Sequence, residues 1–377
     1  MRATEPAQRP LIRSYMPELD SVRGIAILMV LFFHGMAPPL SRPLTGWGLA
    51  LFDITRVGWT GVNLFFVLSG FLITGILLDT KYRADYFRRF YYRRLLRIVP
   101  ALYATLVALL LASFVSWRFV LLSAFFLANA GNFFGVALQY GPLWSLAVEE
   151  HFYLFWPSLV RKCGTRILII ITVAVWVGTP AVRLLCWMTG YGPHGPEVLY
   201  TWFNLGGLAL GSLLAIWVRH PSCSRPRLLR LAPAAFIAGI VGFVLSSRDA
   251  FTLASFSVFF CNLACAGLLA GMLMLGASRW SFLVDRPALK FFGFISYGLY
   301  LVHVLAFRMA EGLLTPISER LLVSPDTTAV MLLRFSLGAG LAIAIAYLSR
   351  RSLEEAFLRL RYTRTPARPA VGIASAT

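Results

Sequence analysis

The sequence predicts an all-α polytopic membrane helix bundle of about ten transmembrane helices, with the N-terminus and the C-terminus cytoplasmic. Three observations predict it. The 377 residues are 58% hydrophobic and only 14% charged, with a mean hydropathy of +0.73, far from the composition of a water-soluble domain. Apolar runs near lipid length recur from end to end. The cations are also distributed asymmetrically between the loops. If the N-terminus is cytoplasmic, 27 of the 35 Lys and Arg residues fall on the inner side and 5 on the outer side, as the positive-inside rule requires. An extra span after residue 116 would invert everything downstream and destroy this asymmetry.

The expected spans are 23–37, 58–78, 98–116, 144–160, 167–188, 200–218, 231–246, 255–276, 291–313 and 329–349. A further apolar piece, 119–127, is too short to cross and reads as re-entrant or interfacial. Residues 1–22 read as a cytoplasmic lead with no early apolar core of a signal peptide. Residues 23–350 form the transmembrane domain. Residues 351–377 read as a cytoplasmic tail, partly disordered after Tyr362, where Thr, Pro and Ala dominate. A net charge of +19 would suggest nucleic acid in a soluble protein. Here the arginines sit between apolar runs, so topology explains them and the expected partner is a lipid bilayer, not nucleic acid. The five cysteines form no CxxC pair, so neither a disulfide framework nor a zinc site is expected.

Polar residues within the spans carry the functional signal, because ionisable groups in a membrane helix are costly. In the first span Arg23 and His34 are eleven residues apart. At about 100° per residue they return to one face, about 16 Å apart along the axis. His34 can be neutral at pH 7 and take a proton from a hydroxyl. The second span carries Asn63 and Ser69, with Gly61 and Gly70 permitting close helix approach. The segment 81–97 interleaves Arg88, Arg89, Arg93, Arg94 and Arg97 with aromatic residues. This pattern suits an interfacial helix on anionic lipid. It suits a phosphate site equally, since Arg94 and Arg97 are neighbours at i, i+3.

The fourth span opens with Ser145, Glu149, Glu150, His151 and Tyr153. Ser145, Glu149 and Tyr153 share a face at i, i+4, i+8, so one Glu is expected in a cavity and the other as a cap or ion partner. His303, with Ser296, Tyr297 and Tyr300, gives the ninth span a polar face. Arg183 and Arg334 need a carboxylate or an anion within their spans. The loop around His194 could line an acceptor entrance.

These motifs, in this order, resemble the acyltransferase-3 family of bacterial integral-membrane O-acyltransferases. Arg23 and His34 match its R-x10-H signature, and Gly61–Ile73 its G-V-x-L-F-F-V-L-S-G-F-L-I segment. Arg94, Arg97, Ile98 and Pro100 match R-x-x-R-I-x-P. Ser145–Pro157 match S-L-x-V-E-E-x-F-Y-L-x-W-P, and Ile295–His303 match I-S-Y-x-L-Y-L-x-H. The match is to the stand-alone form, without the SGNH-type domain that some members append.

The resemblance implies transfer of an acyl group, most often acetyl, from cytoplasmic acyl-CoA to a hydroxyl of a sugar-containing acceptor, in the bacterial inner membrane. Acyl-CoA would be a co-substrate, with no bound cofactor and no metal. It implies that His34, Arg23, Glu149 and Glu150 are catalytic and that Arg94, Arg97 and Arg93 bind the donor. Asn63, Ser69, Ser145, Tyr153 and His303 would support them. His34, oriented by Glu149 or Glu150, would deprotonate the acceptor or hold an acyl-imidazole. Arg23, Asn63 or a backbone amide near Gly70 would stabilise the oxyanion. The competing reading is a transporter or flippase of a lipid-linked saccharide, which would bind its cargo without dependence on acyl-CoA.

Overall fold

A computed structural model describes residues 10–13, 15–36, 47–189, 196–248, 250–320 and 328–363. The expectations about residues 1–9, the loop around His194 and the tail beyond 363 lie outside them. The described residues form an all-α bundle: α1 (Pro17–Gly35), α2 (Trp47–Thr55), α3 (Gly61–Asp79), α4 (Tyr86–Leu111), α5 (Trp117–Ala124), α6 (Leu143–Lys162), α7 (Thr165–Met188), α8 (Leu205–Trp217), α9 (Arg225–Ser246), α10 (Ala250–Gly276), α11 (Pro287–Arg320), α12 (Thr328–Ser349) and α13 (Glu355–Thr363). Each of the ten expected spans is a helix: α1, α3, α4 and α6 to α12.

Among the described residues, seven helical segments are long and apolar enough to cross a membrane. The exceptions are informative. Helix α8 has only 13 residues. Helix α1 carries Glu18, Asp20 and Arg23, and α6 carries Glu149, Glu150, Arg161 and Lys162. Those two are polar because they supply the interior of the bundle.

Several boundaries differ from the hydropathy reading. Helix α1 begins at Pro17, where a proline in the first turn is already set for helix and gives up no hydrogen bond. Its first turn is packed: Glu18 is fully buried and takes a 2.5 Å ion pair from Arg13. The arginine-rich segment and the third span are one 26-residue helix, α4, running through Pro100. The apolar piece after it is the eight-residue helix α5, capped by the Ser116 hydroxyl, which accepts from the Phe119 amide. At 1.5 Å per residue it is about 12 Å long and cannot cross. After α12, a π-helical turn over Arg350–Glu354 leads into α13, which packs back on α4.

Close backbone approach fixes the central helices. A Cβ at Gly70 would lie 2.0 Å from the Leu208 carbonyl oxygen, and one at Gly211 1.9 Å from that of Val67. Helices α3 and α8 therefore touch main chain to main chain, as small residues allow in membranes. Helices α1 and α11 cross in the same way, with Gly293 against the Asp20 carbonyl and Gly24 against that of Leu289. Together α1, α3, α4, α6 and α11 surround the polar interior.

Candidate active site

The site is a series of three neighbouring cavities that share lining residues. The first, of about 500 Å³, opens at the arginine-rich end and is lined by Asp20, Arg23, Arg97, Tyr297, Arg350 and Glu354, among others. Arg23, Arg97, Ser296 and Tyr297 also line the second, a smaller inner cavity of about 120 Å³. Val62 and Tyr300 line both the inner cavity and the third, a chamber of about 530 Å³ at the opposite end.

The inner cavity collects the i, i+4, i+8 face of α6. Ser145, Glu149 and Tyr153 all line it, with Ser69, Arg94 and Arg97. The Tyr153 hydroxyl donates to Glu149 Oε2 at 2.9 Å and is hydrogen-bonded to Ser69 Oγ. The Arg94 guanidinium lies 4.4 Å above the Tyr153 ring, a cation–π contact. Ser145 Oγ is hydrogen-bonded to the Tyr300 hydroxyl. Arg23 is held by Asp20, one helical turn back, at 2.8 Å. Arg94 and Arg97 form no ion pair with a carboxylate of the described residues. Two guanidiniums with no direct ion pair thus share a cavity wall with the Glu149 carboxylate.

Two expected members stand outside. Arg93 does not line the cavity with Arg94 and Arg97. Glu150 does not line it either, and its Oε1 is buried with no hydrogen-bond partner among the described residues. Its position follows from a 100° step away from Glu149 on a continuous helix. His151 leaves the site as well, pairing through Nδ1 with Thr201 Oγ1 at 2.7 Å.

His34 lines the far chamber with Trp59, Asn63, Trp144, Arg183 and Asn204. Neither Glu149 nor Glu150 reaches it, so the expected carboxylate orientation of His34 is corrected. Its partner is His303, whose Nε2 lies 3.2 Å from His34 Nδ1. The same Nδ1 is 3.1 Å from the Val30 carbonyl.

Donor and acceptor roles follow in the neutral state. His303 Nδ1 faces the carbonyls of Leu299 at 3.1 Å and Tyr300 at 2.8 Å. Carbonyls only accept, so His303 carries its proton on Nδ1 and presents an acceptor at Nε2. His34 then donates from Nδ1, which leaves its Nε2 lone pair as the basic position.

Asn63 is already occupied, donating to Asn262 Oδ1 at 2.9 Å. Its second amide N–H is not used by that bond, and Asn63 lines the chamber beside His34. Arg183 is buried and donates to the Phe203 carbonyl from Nε at 3.1 Å and from a terminal nitrogen at 3.0 Å. The residues missed in the sequence are Asn262, Trp59, Arg350 and Glu354. An asparagine in the apolar run of α10 was a legible signal for the first; the others had none.

A family model described as an acyltransferase domain matches residues 16–351. The peptidoglycan O-acetyltransferase OatA of Listeria monocytogenes is 32% identical over 167 residues, covering 39% of this chain and 24% of that protein. YrhL of Bacillus subtilis, a candidate peptidoglycan O-acetyltransferase, is 28% identical over 326 residues, covering 77% of this chain and 48% of its own length. A candidate O-acetyltransferase of Staphylococcus aureus is 27% identical over 327 residues, covering 77% of this chain and 50% of its own. The chain thus spans half or less of the length of these relatives. No solved structure matches it.

Proposed function

The chain belongs to the acyltransferase-3 family, and on that premise we propose that it is a multi-pass O-acetyltransferase of the bacterial inner membrane. It moves an acetyl group from cytoplasmic acetyl-CoA to a hydroxyl of a glycan on the opposite side. The observation that carries this reading is the chain of cavities from unpaired Arg94 and Arg97 to the free nitrogen of His34. Arg23 and His34 are about 16 Å apart along α1, a distance an extended pantetheine arm can bridge.

In this reading the donor phosphates rest at the arginine-lined mouth and the thioester reaches the inner cavity. The acceptor hydroxyl enters the far chamber, where Trp59 and Trp144 offer flat faces to a sugar ring. His34 Nε2 takes the hydroxyl proton as the oxygen attacks the thioester carbonyl. The carbon–sulfur bond breaks, and the imidazolium returns its proton to the departing thiolate. The His34 imidazole lines the acceptor side and not the inner cavity, which favours a base acting on the hydroxyl over an acyl-imidazole. The Tyr300 hydroxyl, on the wall common to both compartments and hydrogen-bonded to Ser145 Oγ, and the second amide N–H of Asn63 in the far chamber are the donors placed for the oxyanion. The names of the relatives make peptidoglycan the first acceptor to test.

Purified protein reconstituted in liposomes, given radiolabelled acetyl-CoA and a glycan acceptor, should label the glycan. His34→Gln should abolish labelling. Full activity in His34→Gln would refute the mechanism, and acceptor movement with no acetyl transfer would refute the function.

A further inference from the structure

The mouth of the cavity system is built partly from the segment after α12, which beyond Arg350 is expected from the sequence to be a tail. Residues Arg350–Glu354 form a π-helical turn. Such a turn inserts one residue per turn beyond the α-helical count and re-aims its side chains. Here Arg350 and Glu354 line the mouth with Arg97, and Arg359 joins them from α13. The Arg350 guanidinium stacks 4.6 Å over the Phe294 ring and pairs with Glu354 Oε2 at 2.9 Å. Glu354 is 3% exposed. Yet Arg350 Nε and Glu354 Oε1 are both buried without a hydrogen-bond partner among the described residues. Arg359 reaches Glu355 only at 3.9 Å and is 81% exposed.

We propose that the Arg350–Glu354 turn and Arg359 form, with Arg97, a phosphate-binding lip that holds the nucleotide end of the acyl-CoA donor. This rests on the acetyl-CoA reading above and adds the part of the chain that grips the nucleotide. The mouth offers guanidiniums for the phosphates. It shares Arg23, Arg97, Ser296 and Tyr297 with the inner cavity, so a molecule held there has its thioester arm on the side of Glu149 and Tyr300. An anionic lipid headgroup presents the same phosphate chemistry, so the test separates the two.

Full-length protein in phosphatidylcholine nanodiscs is assayed with acetyl-CoA and with 3′-dephospho-acetyl-CoA, and CoA binding is measured independently by calorimetry. The variants are Arg359→Gln, on an exposed side chain, and the paired Arg350→Gln with Glu354→Gln, which leaves no buried lone charge. Loss of one charge-assisted contact should raise the donor KM and the Kd for CoA roughly tenfold each. The effect should fall on KM more than on kcat and shrink with the dephospho donor.

Wild type that uses acetyl-CoA, beside variants unchanged in both KM and Kd, would overturn the lip and leave the function standing. Wild type that neither binds CoA nor uses acetyl-CoA would overturn the function itself. A variant effect seen only when anionic lipid is added would assign the lip to a headgroup and overturn it as a nucleotide site.

Discussion

Replacing His303 tests the proposed role and orientation of the His34 imidazole most directly. His303 is fully buried on α11, and its Nε2 is the side-chain acceptor for His34 Nδ1 at 3.2 Å. In the proposed mechanism His34 becomes a cation when it takes the acceptor proton, and the hydrogen bond to His303 becomes charge-assisted. Such a bond contributes about 1.5–3 kcal/mol, so its loss should slow the reaction about 10- to 150-fold. The ceiling follows from the second acceptor. The Val30 carbonyl, 3.1 Å from the same nitrogen, keeps the proton on Nδ1 without His303. The variant should therefore not suffer the ~10⁴-fold loss that follows when a catalytic histidine adopts the wrong tautomer.

His303→Leu fills the volume without an acceptor, and His303→Gln restores a carbonyl oxygen. We expect kcat to fall about 10- to 150-fold in the Leu variant and to recover at least half of that loss, on a logarithmic scale, in the Gln variant. The donor KM should be unchanged in both. The assay is acetyl transfer at saturating donor in reconstituted membranes, normalised to folded protein by size-exclusion chromatography. A Leu variant within threefold of wild type would show that Val30 alone orients His34.

Four further outcomes follow from the same geometry. Tyr300→Phe removes the hydroxyl between the inner cavity and the far chamber and should lower kcat about 10²-fold at unchanged protein yield; an undiminished kcat would remove it as the oxyanion donor. Arg94→Ala with Arg97→Ala should raise the donor KM more than tenfold in the same assay, whereas a shift confined to lipid binding would return both to an interfacial role. Glu149→Ala leaves the Tyr153 hydroxyl without its carboxylate and should cut activity at least tenfold, while Glu150→Gln, which removes a buried oxygen with no donor, should keep activity and melt no lower than wild type. Gly70→Val places a branched carbon against the Leu208 carbonyl, where a single Cβ would already sit 2.0 Å away, and should destabilise the detergent-solubilised protein by about 3 kcal/mol in thermal unfolding.

Periodicity and composition made part of this site legible. The ten spans stand out because lipid-facing helices must be apolar over most of their length. The cavity face of α6 could be read because Ser145, Glu149 and Tyr153 repeat at four-residue intervals, and one turn of helix per 3.6 residues aligns them whatever surrounds them. The partner of His34 could not be read in the same way. Periodicity fixes the face on which a side chain lies but not which other helix meets it. The choice among Glu149, Glu150 and His303 depended on the crossing of α1 with α11, set by Gly24 and Gly293. Arg350 and Glu354 were hidden for another reason: arginines just after a span already have a topological explanation, and a π-turn shifts the register by which a face would be judged.

The polarity of α1 and α6 is the feature that links fold to chemistry. A membrane helix carrying Glu18, Asp20 and Arg23, or Glu149 and Glu150, cannot rest against lipid without a penalty of several kcal/mol per charge. Both must be enclosed, and the main-chain contacts of α1 with α11 and of α3 with α8 supply the enclosure. Enclosure alone would neutralise the site if each charge found a partner, as Arg23 does with Asp20. The described carboxylates form no ion pair with Arg94 or Arg97, and Glu149 beside them accepts from the Tyr153 hydroxyl. In the proposed function, cations and carboxylate held apart in this way are completed by the polyanionic donor. If Arg94→Glu, which would pair with Arg97 across one turn, proved more stable than wild type while losing donor binding, the unpaired charge would be identified as stability given up for function. A variant both less stable and still able to bind CoA would refute that view of the site.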